Sequence, residues 1–275
     1  MKLNELKKFA DTFTETEKMP VLFVGHGDPM NALRDNPFTQ SLKKAGEDIR
    51  KSAPPAAILV VSAHWLTHGS FVSLNEKPGT IHDFGGFPEA LFAMQYPAPG
   101  APEYAKEVSR LAPDVKGTNE WGIDHGAWTI LHHLFPAATI PVFQLSIDYY
   151  QPMHYHFDLA KQLKSLRKKG VLIIGSGNIV HNLRMSMKMF TENDATPYDW
   201  NIEFDEWVKK MVIQRNFTAL IDYAQMGSAA KLSVPTPDHY IPLLYSLALA
   251  DEQEPVNQVY EETLSGISMR TFSIG

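Results

Sequence analysis

The sequence contains no cysteine, and this absence excludes several kinds of chemistry together. Without thiols there is no disulfide, no thiolate metal site and no cysteine nucleophile. Any metal that the protein binds must therefore be held by histidine, aspartate or glutamate.

Long apolar runs and an excess of basic residues are also lacking. No window approaches the ~20 apolar residues of a membrane span. The first eighteen residues mix charged with apolar side chains, unlike a signal peptide. A net charge of −6, from 25 Lys and Arg against 31 Asp and Glu, indicates no basic surface for nucleic acid or an anionic membrane. We therefore expect a cytoplasmic protein that binds neither.

Apolar runs typical of buried strands alternate with helix-like periodicity along most of the 275 residues. This alternation predicts an α/β fold: a single-domain sandwich of a central, mostly parallel or mixed sheet flanked by helices. Residues 1–18 are expected to be an N-terminal extension, as a short amphipathic helix or a frayed tail. The predicted strands lie at 21–24, 57–61, 70–74, 140–147 and 171–174, with a closing antiparallel strand at 266–274. One predicted helix carries Phe38, Leu42, Ala45 and Ile49 on one face and is ended by Pro54-Pro55. The other predicted helices lie at 102–112, 156–169 and 202–212.

The segment 79–100 is rich in glycine, proline and aromatic residues, so regular structure should be sparse there. Long irregular loops in compact domains are often functional, and this one is a candidate wall or lid of a pocket. The alternative is a surface loop that packs on its own aromatic side chains.

Three histidines, His26, His64 and His181, each follow a predicted buried strand. In open α/β sheets the carboxyl ends of the strands form the crevice where ligands bind, so these imidazoles should converge. Spacing alone leaves open whether they hold a metal or are structural. Neutral imidazoles suit Fe(II), Zn and Cu, whereas Mg prefers oxygen ligands.

His239 lies in a segment that we predict to be the first turn of a helix, with Thr236 as the cap and Pro237 at the first position. His125 stands beside a glycine, and His82 stands beside Asp83 in the glycine-rich loop. The other five have no supporting context and are predicted to be structural: His68, His132, His133, His154 and His156.

Gly175-Ser176-Gly177 offers a different interpretation, because glycine-rich turns can cradle a phosphate. The segment lacks the lysine of a P-loop and the third glycine of a dinucleotide fingerprint, so a phosphate site is disfavoured.

Six segments in order along the chain carry a resemblance to a known family. They are Gly25-His26-Gly27-Asp28-Pro29-Met30, Ser62-Ala63-His64-Trp65, Ile81-His82-Asp83-Phe84-Gly85-Gly86-Phe87-Pro88, Asp124-His125-Gly126, Ser176-Gly177-Asn178-Ile179-Val180-His181-Asn182 and Pro235-Thr236-Pro237-Asp238-His239-Tyr240. With them the sequence resembles the class III extradiol ring-cleavage dioxygenases, most closely the branch that cleaves DOPA at the 4,5 position. The resemblance implies that residues 19–275 form the catalytic domain.

The resemblance also implies a mononuclear metal and a role for each histidine. His26 and His64 would be metal ligands, with His239 at the position of the third. His181 would be the active-site base, close enough to approach the metal as a fourth ligand, and His125 a second acid/base residue. From loop position, substrate contacts are expected at Asp28, Phe84 and Tyr240.

At one position the chain departs from the protocatechuate-cleaving relatives, whose third ligand is a glutamate. The histidine in its place leaves both Fe(II) and Zn(II) open as the bound metal, with Fe(II) expected for activity. The resemblance implies a catechol and O2 as substrates, and a muconic semialdehyde type of product. Two alternatives remain: a zinc-dependent amide or ester hydrolase, and a non-catalytic binding protein of the same fold. Both a monomer and a homo-oligomer are compatible with the sequence.

Overall fold

The computed structural model describes residues 15–275, and they form the predicted α/β fold around one eight-stranded sheet. A separate two-stranded hairpin, β8 and β9, lies outside that sheet. In chain order the strands are β1 Val21–Gly25, β2 Ala57–Thr67, β3 Phe71–Ser73, β4 Lys116–Thr118, β5 Val142–Asp148, β6 Val171–Gly177, β7 Val256–Tyr260, β8 Thr263–Leu264, β9 Ile267–Ser268 and β10 Thr271–Ile274.

The sheet has the strand order β4-β3-β5-β2-β6-β1-β10-β7. Its four central strands, β5, β2, β6 and β1, run parallel, which brings their carboxyl ends to one edge. β10 pairs antiparallel with β1 and with β7, so the prediction of a closing antiparallel strand is confirmed. The predicted segment is divided into β9 and β10.

Ten α-helices lie within the described residues. They are α1 Pro37–Ser52, α2 Glu89–Phe92, α3 Pro102–Leu111, α4 His125–Leu134, α5 Met153–Gln162, α6 Leu183–Thr191, α7 Asp199–Ile213, α8 Phe217–Ile221, α9 Ser228–Ser233 and α10 Ile241–Ala248. Three shorter 3-10 helices span Pro29–Leu33, Lys164–Lys169 and Tyr223–Met226. No helix in this part of the chain is both long and apolar enough to cross a membrane.

The two faces of the sheet pack into two separate hydrophobic cores. In β1, Val21 and Phe23 belong to one core while Leu22 and Val24 belong to the other, as strand alternation requires. Helices α3, α5, α7 and α10 cover the first face, and α1 and α4 cover the second. The predicted sandwich is therefore confirmed.

Local signals account for the helix boundaries. Asn36 caps α1 in a reciprocal capping box with Thr39, and the helix ends at Ser52, shortly before Pro54. The helix predicted at 156–169 is divided into α5 and a 3-10 segment. That segment ends at Gly170, whose left-handed φ of 74° is a conformation that glycine adopts without strain.

The predicted helix start at Thr236 and Pro237 is wrong. Residues 238–240 form a turn, and α10 begins at Ile241, with Pro242 in its first turn. Proline is tolerated there because the first turn has no intrahelical partner for its missing N–H.

Residues 1–14 of the predicted N-terminal extension lie outside the described part of the chain, and residues 15–18 form neither helix nor strand. The segment 79–100 is largely irregular, as predicted, and contains the short helix α2.

Candidate functional site

His26 lies immediately after β1 and is 2% exposed. Its backbone N–H donates to the Gly177 carbonyl at 3.0 Å, so parallel pairing with β6 continues to this residue. In its side chain, the imidazole Nδ1 lies 2.9 Å from the Ser176 hydroxyl. That contact leaves Nε2 to point into the site.

His64 lies in an irregular part of β2. The pairing with β5 shifts register between Val61 and Leu66, and such bulges re-aim side chains. The His64 Nε2 approaches the His26 Nε2 to 3.2 Å, while its Nδ1 lies 3.4 Å from the Asp83 carboxylate.

His125 is the first residue of α4. The buried Asp124 caps this helix, and its carboxylate accepts hydrogen bonds from Ser62 at 2.6 Å and Gln144 at 2.7 Å. Asp83 accepts the backbone N–H of His125 and also lies 2.9 Å from its Nδ1. Asp83 therefore orients both His64 and His125.

His181 lies in the segment that follows β6, and His239 lies in the turn that precedes α10. Their rings stack with centroids 3.5 Å apart and planes 6° from parallel. The Asp238 carboxylate accepts a hydrogen bond from the His239 Nδ1, and the Asn178 N–H donates to the His239 carbonyl. His239 is thereby held against the end of β6.

The structure thus brings together five imidazoles, those of His26, His64, His125, His181 and His239, which we call the histidine cluster. One ligand nitrogen from each of His26, His64 and His125 lies within 4.8 Å of the other two. The same spacing relates the ligand atoms of His181, Asp238 and His239. All of these residues surround one end of the parallel strands.

Burial holds most of the cluster in the neutral form. It lowers the pKa of His64 to about 3 and that of His181 to about 4. It also lowers the pKa of His26 and His239 well below the usual range, and repulsion between the clustered imidazoles adds to the effect. A neutral imidazole is the form that binds a metal or accepts a proton.

The donor set fits a transition-metal ion. In each of His26, His64 and His239, Nδ1 faces an oxygen of Ser176, Asp83 or Asp238, which leaves Nε2 free. Oxygen partners of this kind fix the ring orientation of metal-binding histidines and raise their basicity. Imidazole nitrogens without thiolates suit Fe(II) or Zn(II).

A cavity of about 580 Å³ opens onto the histidine cluster. Its walls are mainly apolar, and the loop 79–100 forms one of them through Asp83, Phe84 and Phe87. The other lining residues outside the cluster are Gly27, Asp28, Pro29, Asn31, Arg34, Asn36, Phe38, Leu183, Ser186, Met189, Glu262, Leu264, Ile267 and Met269.

Of the three residues predicted to contact substrate, the structure brings Asp28 and Phe84 to the cavity but not Tyr240. Tyr240 is fully buried in the core on the other side of its turn, where its hydroxyl donates to the Leu220 carbonyl. Its side chain therefore points away from the histidine cluster, although it directly follows His239 in sequence.

His82 does not line the cavity. Its Nε2 lies 2.9 Å from the Met94 carbonyl, and its ring packs near Phe84 and Trp128. The five histidines predicted to be structural lie outside the cluster as well. His156, for example, is fully buried, and its Nδ1 contacts the Tyr245 hydroxyl at 3.3 Å.

The glycines around Ser176 serve close packing. A Cβ at Gly175 would meet the Pro242 carbonyl at 2.3 Å, and one at Gly177 would meet the His239 carbonyl at 2.2 Å. No phosphate cradle is needed to explain them.

Sequence reasoning missed the oxygens that orient the imidazoles, which belong to Asp83, Ser176 and Asp238. Each of these residues is adjacent to a histidine in sequence or lies in one of the six segments that carry the family resemblance, so this proximity in sequence was the available signal. It does not reveal which histidine each oxygen contacts. Ser176, for instance, contacts His26, which lies 150 positions away in sequence.

The fold is an α/β protein with a mostly parallel sheet. At the carboxyl edge of that sheet, a buried cluster of histidines that could hold a metal ion opens onto an apolar cavity. The chain belongs to the family described as the catalytic LigB subunit of aromatic ring-opening dioxygenase, which matches residues 19–271. The resemblance seen in the six sequence segments is confirmed.

Several known proteins are similar over nearly the whole chain. The 4,5-DOPA dioxygenase extradiol of Escherichia coli (strain K12) is 43% identical over 272 residues, covering 96% of this chain and 98% of that protein. The 4,5-DOPA dioxygenase extradiol of Beta vulgaris is 32% identical over 255 residues, covering 89% and 92%. A crystal structure of an uncharacterized Escherichia coli K12 protein superposes with a TM-score of 0.80 at 40% identity, covering 94% of this chain and all of that one.

Proposed function

We propose that this ring-opening dioxygenase cleaves catechols such as L-DOPA at the bond beside the diol, with 4,5-cleavage to a muconic semialdehyde type of product. Both atoms of O2 enter the product. The observation that carries the proposal is the convergence of five imidazoles at the floor of an apolar cavity. The similarity to proteins named as DOPA dioxygenases supports the substrate class. Because the family match spans 19–271, residues 19–275 are proposed as the catalytic domain, with 1–18 as an extension.

His26, His64 and His239 are proposed to hold the metal, and ring spacing supports this set over one that contains His125. Three imidazoles that share one ion are expected to lie at similar distances from one another. The centroid distances among His26, His64 and His239 are 5.0, 5.3 and 5.0 Å. Those from His125 are less even, at 3.8 Å to His64 and 6.0 Å to His26.

Fe(II) bound there would lower the pKa of the catechol hydroxyls and supply the electron transfer that O2 chemistry requires. His181 is assigned the role of base that takes a hydroxyl proton. Burial keeps this imidazole neutral, and its stack on His239 holds it beside the metal ligands. General bases of this kind contribute about 10²–10⁴-fold to rate.

His125 is proposed to deliver a proton on the opposite side of the site. Its ring lies 3.8 Å, centroid to centroid, from that of His64, and the Asp83 carboxylate contacts its Nδ1, so Nε2 is the atom that can donate.

The apolar wall has a separate role, because Phe84, Phe87 and Met269 exclude water from the reacting ring. Electrostatic interactions between the charged catechol and the site are stronger in such an environment than in bulk water.

The test compares apoprotein loaded anaerobically with Fe(II) and with Zn(II). On addition of L-DOPA and oxygenated buffer, the Fe(II) form should consume O2 and form a yellow product. The zinc form should do neither, because zinc has no accessible redox change. Equal turnover by strictly iron-free zinc protein would contradict the proposal. Ester or amide hydrolysis by the zinc form without O2 uptake would favour the hydrolase alternative.

A further inference from the structure

Resting on the proposed function, we propose that Arg34 and Glu262 select catechols that carry a zwitterionic amino-acid side chain. Arg34 binds the α-carboxylate of the substrate, and Glu262 binds its α-ammonium group. Both residues line the cavity that opens onto the histidine cluster.

The Arg34 guanidinium is held in place through one nitrogen. Its Nη1 donates to the Asp28 carboxylate at 2.7 Å and to the Asn31 side-chain oxygen at 3.3 Å. Among the contacts of residues 15–275, its Nε and Nη2 atoms donate no hydrogen bond. Those two donors form the edge of the guanidinium that matches a carboxylate with two parallel hydrogen bonds.

The position of Arg34 follows from the local structure. Asp28 caps the 3-10 helix Pro29–Leu33 by accepting the Met30 N–H, and Arg34 ends that helix. Asn31 donates to the His26 carbonyl at 3.1 Å, which ties the same short helix to the metal-binding segment. The Arg34 guanidinium is thus positioned by a short helix that is itself hydrogen-bonded to His26.

Glu262 offers the complementary group. Its Oε2 accepts a hydrogen bond from the Tyr260 hydroxyl at 2.8 Å, and its backbone carbonyl accepts the Met269 N–H. Within the described residues, Oε1 accepts no hydrogen bond and is available to an ammonium group.

Packing contacts place Arg34 and Glu262 on the same side of the cavity mouth, which we call the rim. The ring of Phe38, at the start of α1, packs on that of Tyr260 with centroids 5.4 Å apart. Gly27, beside His26, is so close to Met269 that an added Cβ would meet the Met269 sulfur at 2.7 Å. The segments that carry Arg34 and Glu262 therefore adjoin along one side of the cavity.

The charges of Arg34 and Glu262 are informative because most of the cavity wall is apolar. A catechol with an uncharged side chain would gain nothing from Arg34 or Glu262 and could bind against Phe84, Leu264 and Ile267 alone. A zwitterionic side chain pairs with both. Opposite charges at fixed positions supply specificity of this kind.

Four catechols test the assignment: L-DOPA, dopamine, which lacks the carboxylate, 3,4-dihydroxyphenylpropionate, which lacks the ammonium group, and 4-methylcatechol, which lacks both. For the Fe(II) enzyme we expect kcat/KM for L-DOPA to exceed that for dopamine and for the propionate by about 10- to 100-fold each. The difference should lie mainly in KM, since these groups do not react.

Arg34→Gln should bring the ratio of L-DOPA to dopamine towards one, and Glu262→Gln should do the same for the ratio of L-DOPA to the propionate. Arg34→Glu should invert the first preference. Turnover of 4-methylcatechol should change little in all three variants. The matched control is Lys43→Gln, which removes a cation from an exposed pair with Asp35 outside this cavity; its ratios should equal those of the unaltered protein.

A binding measurement keeps this proposal separate from the proposed function. Dissociation constants of L-DOPA and dopamine for the zinc-loaded protein, taken by equilibrium dialysis, should shift in Arg34→Gln by the same ratio. Shifted binding ratios without any ring cleavage would refute the proposed function and leave this one supported. Cleavage of all four catechols with ratios unaffected by Arg34 and Glu262 would overturn this one alone.

Discussion

The imidazoles of His181 and His239 lie face to face, 3.5 Å apart at their centroids. The stack joins the proposed base to the proposed third metal ligand, and Asp238 holds the second of these rings through its Nδ1. A residue that acts on the substrate and a residue that binds the ion are therefore positioned by the same contact.

His181→Ala should lower kcat by about 10²–10⁴-fold, because the proposed base is lost while His26, His64 and His239 remain. Steady-state oxygen uptake with L-DOPA measures the change, and metal analysis should still find a full complement of Fe(II). The control is His154→Ala, which removes an exposed histidine on α5 and should leave the rate as it was. Undiminished turnover in His181→Ala would rule out its role as base.

Replacing His239 and His125 separately should distinguish ligand from proton donor. His239→Ala should lose bound metal on dialysis, whereas His125→Ala should keep the metal and lose turnover. Asp238→Asn should weaken metal affinity by about 10- to 100-fold, since such partners orient the ligand ring. Competition with a chelator measures all three. The reverse pattern, with metal lost from His125→Ala alone, would assign the third ligand to His125.

Gly126→Ala should disturb the metal site without breaking the fold. The new Cβ would lie 2.7 Å from the His64 Cδ2 and 2.6 Å from the Ser62 hydroxyl, so His64 must move. We expect metal affinity to fall about 10-fold or more while the thermal transition shifts little. Gly79→Ala is the matched control, because a Cβ there meets nothing within 4 Å. Equal metal affinity in the two variants would contradict the packing argument.

Acid should destabilise the protein partly through Glu254. Burial alone would raise the pKa of this carboxyl. Hydrogen bonds from the buried Arg167, from the Asp251 N–H and from Lys18 instead lower it from 4.5 to about 2. The carboxylate therefore contributes stability that is fully present above pH 4.5 and is lost as the pH falls towards 2.

Glu254→Gln should accordingly lower the free energy of unfolding by roughly 2 kcal/mol at pH 7, because Arg167 keeps its charge but loses its ionised partner. The difference between variant and unaltered protein should shrink as the pH is lowered from 5 to 3 in urea titrations. Glu252→Gln, which removes a carboxylate from an exposed position nearby, is the matched control variant. A difference that stays constant with pH would exclude Glu254 as the titrating group.

The parallel core of the fold could be predicted because three of its four central strands, β1, β2 and β6, contain a contiguous apolar run. β1, β2 and β6 are buried on both faces, and strands buried in that way have nearly continuous hydrophobic sequences. β7, at the edge of the sheet, was not predicted because its residues are partly exposed and do not form a continuous hydrophobic run. The short helices α8 and α9 have five and six residues, too few to show a helical period.

The candidate site likewise has parts that the sequence predicts and parts that it does not. Placing His26, His64 and His181 after strands was enough to predict that they meet, since parallel strands end at one edge. The turn at 238–240 was not predictable from local signals. The capping pattern at Thr236 and Pro237 competes there with tertiary contacts, such as the hydrogen bond from the Asn178 N–H to the His239 carbonyl.

By itself the sequence determined the absence of thiolate chemistry, the alternation of strands and helices and the histidines that follow the strands, because these are properties of residue identity and short-range order. Tertiary structure alone decided which oxygen orients each imidazole, that Tyr240 faces the core while its neighbour His239 faces the cavity, and that Arg34 and Glu262 share one rim. Those relationships join residues distant in the chain, and only the packing of the sheet and helices brings them within contact distance.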